Sequence, residues 1–209
     1  MARSGVGLWM AAAFGTELAL AVAVLAVFGT GEPGLVAALK LTGRFSFILF
    51  WLAYTSGALA ILFGPRFAPL AQRGRDFGLV FAAAHVVHLG LVVWIFRIAE
   101  THPVSNTAVV LLSIGVAWLY ALALCSVNRV RNGFNAKFLR VFQSRGLDYI
   151  ALLFVADLVL NPIRHGFGGP FEYAPFSLLA IAGPLLRFAA AVRTYRSRTR
   201  PETTARSAG

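Results

Sequence analysis

The chain reads as an all-α integral membrane protein, six transmembrane helices in a single bundle with both termini in the cytoplasm. Three observations predict this. Hydrophobic residues make up 58% of the 209 residues and charged residues 13%, against roughly 45–50% (glycine included) and roughly 25% in a soluble domain. The apolar residues gather into blocks of about the 20 residues that a helix needs to cross a hydrocarbon core of about 30 Å, and mean hydropathy is +0.74. The basic residues sort by side between those blocks. This composition excludes a disordered chain and disfavours an ordinary soluble enzyme. The net charge of +11 sits in the connectors, where a membrane protein keeps it, so nucleic acid is not an expected partner. One cysteine excludes an intramolecular disulfide and any Cys-rich metal site.

The spans follow in order. Residues 8–29 form the first, interrupted by Glu17. It exceeds the h-region of a signal peptide and lacks a clear cleavage site, so it is expected to be retained. The second covers about 44–65 and is uncharged from Phe45 to Pro65. The third, about 77–98, is uncharged from Phe77 to Phe96 but holds His85 and His88. The fourth covers about 105–127 within an uncharged run from Pro103 to Asn128. The fifth, about 146–164, contains Asp157. The sixth, about 171–192, contains Pro175, Pro184 and Arg187. Backbone groups in lipid must pair within the segment, so spans of this length are helices. Pro184 after Gly183 predicts a kink in the sixth. Trp9, Trp51, Trp94 and Trp118 lie mostly toward span ends, as interfacial anchors do. Residues 1–196 are thus one transmembrane domain, and 197–209 a disordered basic cytoplasmic tail.

With six spans, the termini and the second and fourth connectors share a side. That side carries fourteen of the nineteen Lys and Arg. Lys40, Arg44, Arg97 and Arg164 lie on the other, and Arg187 falls within a span. Such a bias places the termini in the cytoplasm and the protein in the cytoplasmic (inner) membrane. The tail arginines are expected as a topology signal, with anionic lipid as their neighbour.

Ionisable side chains at membrane depth are costly and mark function or internal pairing. Glu17, His85, His88 and Asp157 lie about eight to eleven residues into spans that run the same way. At 1.5 Å per residue their depths agree within about 5 Å. His85 and His88, at i and i+3, share a helix face. Neutral imidazole ligates haem and other metals, and Ala82, Ala83, Ala84 and Gly90 allow close approach. The bland alternative is that the histidines hydrogen-bond to neighbours such as Glu17. Asp157 reads either as a structural protonated group or as the partner of a histidine in a proton relay. Glu17 has the same choice, or supports a ligand histidine from behind. Arg187 either snorkels or pairs a haem propionate. His102 follows His88 by fourteen residues and could meet His165 at an outer site, although both are expected in loops. Cys125 is expected to pack. No dinucleotide or P-loop phosphate fingerprint occurs, and no internal repeat is visible.

One stretch carries a resemblance. It opens with Thr42-Gly43-Arg44-Phe45 and leaves the second span through Gly64-Pro65-Arg66. It continues with Arg73-Gly74-Arg75-Asp76-Phe77-Gly78-Leu79 and ends at His88, ten residues after Gly78. This resembles the ferric reductase-like transmembrane family, which includes haem-binding membrane subunits of bacterial sulfoxide reductases. The resemblance implies a six-helix domain holding haem b, with His88 as an axial ligand; His85 falls where the family often has an aromatic. It also implies partner histidines in the fifth span, but Arg145 and Leu158 stand at those positions.

Three functional classes fit these readings. The first, favoured by the resemblance, is a b-type-cytochrome-like electron-transfer subunit with His88 or His85 on the haem iron. With no nucleotide-binding domain, it would be at most the membrane subunit of an oxidoreductase, working with a separate redox partner or a quinone. The second is a haem-free scaffold or partner subunit, a homo-oligomer included. The third is a small proton-coupled transporter using Glu17, the two histidines and Asp157.

Overall fold

The computed structural model describes residues 4–99, 105–126, 133, 135–160 and 170–199. Among these, every regular element is helical. Helix α1 spans Ser4–Phe28 and α2 spans Glu32–Phe63. A 3-10 turn at Pro65–Phe67 and the single turn α3, Ala68–Gln72, lead into α4, Gly74–Ile98. Helix α5 spans Asn106–Cys125. Helix α6, Ala136–Val155, continues as a π-helical turn over Ala156–Leu160. The last helix, α7, spans Pro170–Thr199. Five helices (α1, α2, α4, α5 and α7) are long and apolar enough to cross a membrane.

Sequence chemistry explains the boundaries. Pro33 sits in the first turn of α2, where its missing N–H costs nothing and its fixed φ suits a helix. Gly64 ends α2 at φ +87°, a backbone state that favours glycine. The Ser105 hydroxyl accepts from the Ala108 N–H, and the Asn135 side chain from the Lys137 N–H, so both α5 and α6 are capped at their start. Arg193 donates to the Leu62 carbonyl at 2.7 Å, satisfying an acceptor left over at the end of α2.

Several helices outrun their expected spans. Helix α2 starts at Glu32 rather than near residue 44, because hydropathy marks the part in lipid and a helix continues past it. Lys40 and Arg44 on that extension reach over the Tyr173 ring, at 5.9 and 5.2 Å to its centroid. Helix α6 starts at Ala136 rather than near 146, and its charged early turns lower its hydropathy. Helix α7 carries through to Thr199, so residues 197–199, expected in the tail, are helical. Pro175 and Pro184 both lie inside that continuous helix. The Leu179 carbonyl, in the turn disturbed by Pro184, accepts from Trp51 Nε1 at 2.8 Å. Trp51 therefore works inside the bundle, and so does Trp118, whose ring lies 4.5 Å from that of Phe142. Only Trp9 and Trp94 are exposed as anchors would be.

Helix α2 is the hub, packing against α1, α4 and α7, while α5 packs on α6. The largest core cluster joins Phe47, Phe50 and Tyr54 of α2 to Phe81 of α4, Leu119 of α5 and Ile150 of α6. A second joins Ala21, Leu35, Ala38, Val87 and Leu91, where α1, α2 and α4 meet. Small residues set the separations, as is usual between apolar helices: Gly146 lies against the Trp118 ring and Gly115 against Leu153. Cys125 is buried.

Candidate functional site

Three helices bring the central polar residues together. Helix α1 supplies Glu17, α2 supplies Thr42 and Ser46, and α4 supplies His85 and His88. Thr42 and Ser46 are one turn apart, as are the two histidines, so each pair occupies one face of its helix. Glu17, Thr42 and Ser46 have no solvent exposure, and the histidines are largely covered.

Ser46 Oγ lies 3.1 Å from both Glu17 Oε1 and Oε2, and 3.2 Å from His85 Nδ1. His88 Nδ1 lies 2.9 Å from Thr42 Oγ1. The imidazole rings stack at 4.9 Å with 20° between their planes, and the Phe81 ring lies 5.2 Å from that of His85, tilted by 46°. The result is a continuous path from a buried carboxyl through one hydroxyl to an imidazole. A serine hydroxyl has one proton and can accept on its other side. With Glu17 ionised, Ser46 donates to the carboxylate and His85 donates from Nδ1, leaving Nε2 bare. With Glu17 protonated, the carboxyl donates to Ser46, Ser46 donates to His85 Nδ1, and the imidazole proton sits on Nε2. One proton added at Nε2 and two hops along the chain convert the first arrangement into the second.

The structure thus brings Glu17, His85 and His88 together, as their matching depth suggested. Asp157 is not in this cluster. It is exposed, in the π turn that packs on α6 and α7; equal depth says nothing about which side of a helix a residue occupies. His102 and His165 lie outside the described residues. Arg187 pairs with a residue the sequence reading passed over: its Nε lies 3.3 Å from Asp148 Oδ1. Tyr54 donates to the same oxygen at 3.1 Å, Arg187 donates to Ser144 Oγ at 3.0 Å, and its guanidinium covers the Tyr54 ring at 4.5 Å. This knot ties α2, α6 and α7. Ser46 and Thr42 were also missed, although a Thr and a Ser at i and i+4 share one helix face and are themselves a signal.

These residues do not fit the bis-histidine haem that the resemblance implies. The resemblance pairs His88 with histidines of the fifth span, and none stands there. Arg145 of α6 and Leu158 of its π turn occupy those positions. Among the described residues no group of three His, Cys, Asp or Glu is arranged to hold a metal ion. No family model, curated protein or solved structure matches the chain.

Proposed function

We propose that the protein moves protons through the membrane, in a proton-coupled role, along Glu17, Ser46 and His85. The observation that carries this reading is the Ser46 hydroxyl bridging a fully buried carboxyl and an imidazole at 3.1 and 3.2 Å. A structural role alone needs one partner for Glu17; it does not need a path that reverses its polarity when a proton is added. In this reading α6 with its π turn is the fifth span, which brings the number of spans to six. The placement of fourteen basic residues on one side and four on the other supports cytoplasmic termini in the inner membrane.

The test is proton flux into liposomes containing the purified protein, driven by a potassium-diffusion potential and read with a trapped pH dye. Flux above protein-free liposomes, reduced at least tenfold by Glu17→Gln, is expected. The glutamine keeps an acceptor for Ser46 but cannot carry the proton. Flux no greater than in protein-free liposomes rejects the reading.

A second reading keeps His88 as the single axial ligand of a b-type haem in an electron-transfer subunit. Its support is the Nδ1 contact with Thr42, which leaves Nε2 for a metal, as in many ligand histidines. An oxidised-minus-reduced optical spectrum of protein expressed with ample haem decides it. A b-type band lost in His88→Ala supports it, and the absence of any band rejects it.

A further inference from the structure

The two histidines look alike in sequence, but their hydroxyl partners differ. Thr42 Oγ1 lies 2.8 Å from the Ala38 carbonyl on its own helix and 3.3 Å from the Leu39 carbonyl. Two oxygens at 2.8 Å repel unless a proton lies between them, and a carbonyl has none to give. The Thr42 proton is therefore committed to Ala38. What Thr42 turns toward His88 Nδ1, at 2.9 Å, is a lone pair. His88 Nδ1 must then carry hydrogen, and Nε2 must be bare. Gly43 lies against the same edge of the ring: a Cβ there would lie 3.3 Å from His88 Cε1 and 3.8 Å from Nδ1. Ser46 is bound to the Glu17 carboxyl and not to a carbonyl of its own helix. Its proton is free to turn either way, and the tautomer of His85 turns with it.

We propose that Thr42, with Gly43 beside it, is a positioning residue that locks His88 in the Nδ1–H tautomer and leaves its Nε2 a fixed proton acceptor beside the relay imidazole of His85, on which it stacks. This rests on the relay reading for its functional part. His85 is the member that switches, and His88, stacked on it, is the member that does not. Proton bookkeeping is simple: His88 takes one proton at Nε2 to become imidazolium and returns it from the same atom, while the Nδ1–H bond to Thr42 persists in both states.

The test is solid-state NMR of the full-length protein, labelled with ¹⁵N histidine, in lipid bilayers at a pH where the histidines are neutral. His88 is assigned by the loss of its signals in His88→Gln. The expected spectrum has protonated Nδ1 and bare Nε2 at His88. The pattern should persist in Thr42→Ser and be lost in Thr42→Val, with proton flux falling about fivefold in the valine variant alone, as for one lost hydrogen bond. An Nε2–H tautomer at His88 in the unsubstituted protein overturns the inference, and needs no variant to fold. An unchanged tautomer in folded Thr42→Val also overturns it. Absence of proton flux with the Nδ1–H tautomer present rejects the relay reading and leaves the role of Thr42 standing.

Discussion

Glu17 shows what a buried carboxyl demands. It has no solvent exposure, and Ser46 donates to it from a neighbouring helix. Replacing Ser46 with alanine strips that donor from a buried acceptor, a loss of about 1–3 kcal/mol. We expect Ser46→Ala to lower the thermal unfolding midpoint in detergent and Glu17→Gln to lower it less, because the amide still accepts. Differential scanning fluorimetry reads both. The ionisable members of this cluster were legible in sequence because Glu and His stand out in apolar runs. Their hydroxyl partners were not, because most such hydroxyls in this chain serve their own helix: Thr55, Ser126 and Thr194 all donate to the carbonyl four residues back. Ser46 is informative because it departs from that habit. Asp157 matches these residues in depth and lies on the exposed side of the π turn. Rise per residue fixes depth, but only packing fixes the side on which a residue falls.

Between elements, two kinds of contact hold the helices in register. Glycines let α5 and α6 approach. A Cβ at Gly146 would lie 2.7 Å from the Trp118 ring and 3.0 Å from Leu122 Cδ1. We expect Gly146→Leu to cost about 1–3 kcal/mol, the usual range for overpacking, read as a lower unfolding midpoint, with Gly78→Ala, where nothing lies within 4 Å, as the neutral control. The second contact is the Asp148–Arg187 pair, whose side chains keep 45% and 27% of their exposure. A plain surface pair of that kind is worth about 0–1 kcal/mol. Sharing Tyr54 and Ser144 should raise the coupling of Asp148→Asn with Arg187→Gln toward about 1 kcal/mol in a double-mutant cycle. Helix identity was legible from apolar length, and helix ends were less so. Hydropathy falls where a helix leaves lipid, but α2 and α6 continue well past that point. Their ends follow Pro33, Gly64 and the Asn135 cap, local signals that hydropathy alone overlooks.

At the scale of the whole molecule, α2 divides the labour. One side of it packs with α1 and α4 around the Glu17–Ser46–His85 chain, and the other joins α6 and α7 through Tyr54 and Trp51. The resemblance to haem-binding membrane domains rested on turn residues between the second and third spans, and those have their own topological reasons to be Gly, Pro and Arg. Topology is open to a direct check. In a Cys125→Ala background, Ser4→Cys and Ser197→Cys should both react with a membrane-impermeant maleimide in inverted vesicles and not in intact spheroplasts. Labelling of the two from opposite sides would remove the six-span layout.

In the proposed relay the proton passes between Glu17 and His85 through Ser46 Oγ. The most direct measurement is the proton flux of Ser46→Ala in liposomes, with protein amount and fold matched to the unsubstituted chain. A fall of at least tenfold is expected, with both titratable ends intact. An unchanged flux in Ser46→Ala would contradict it.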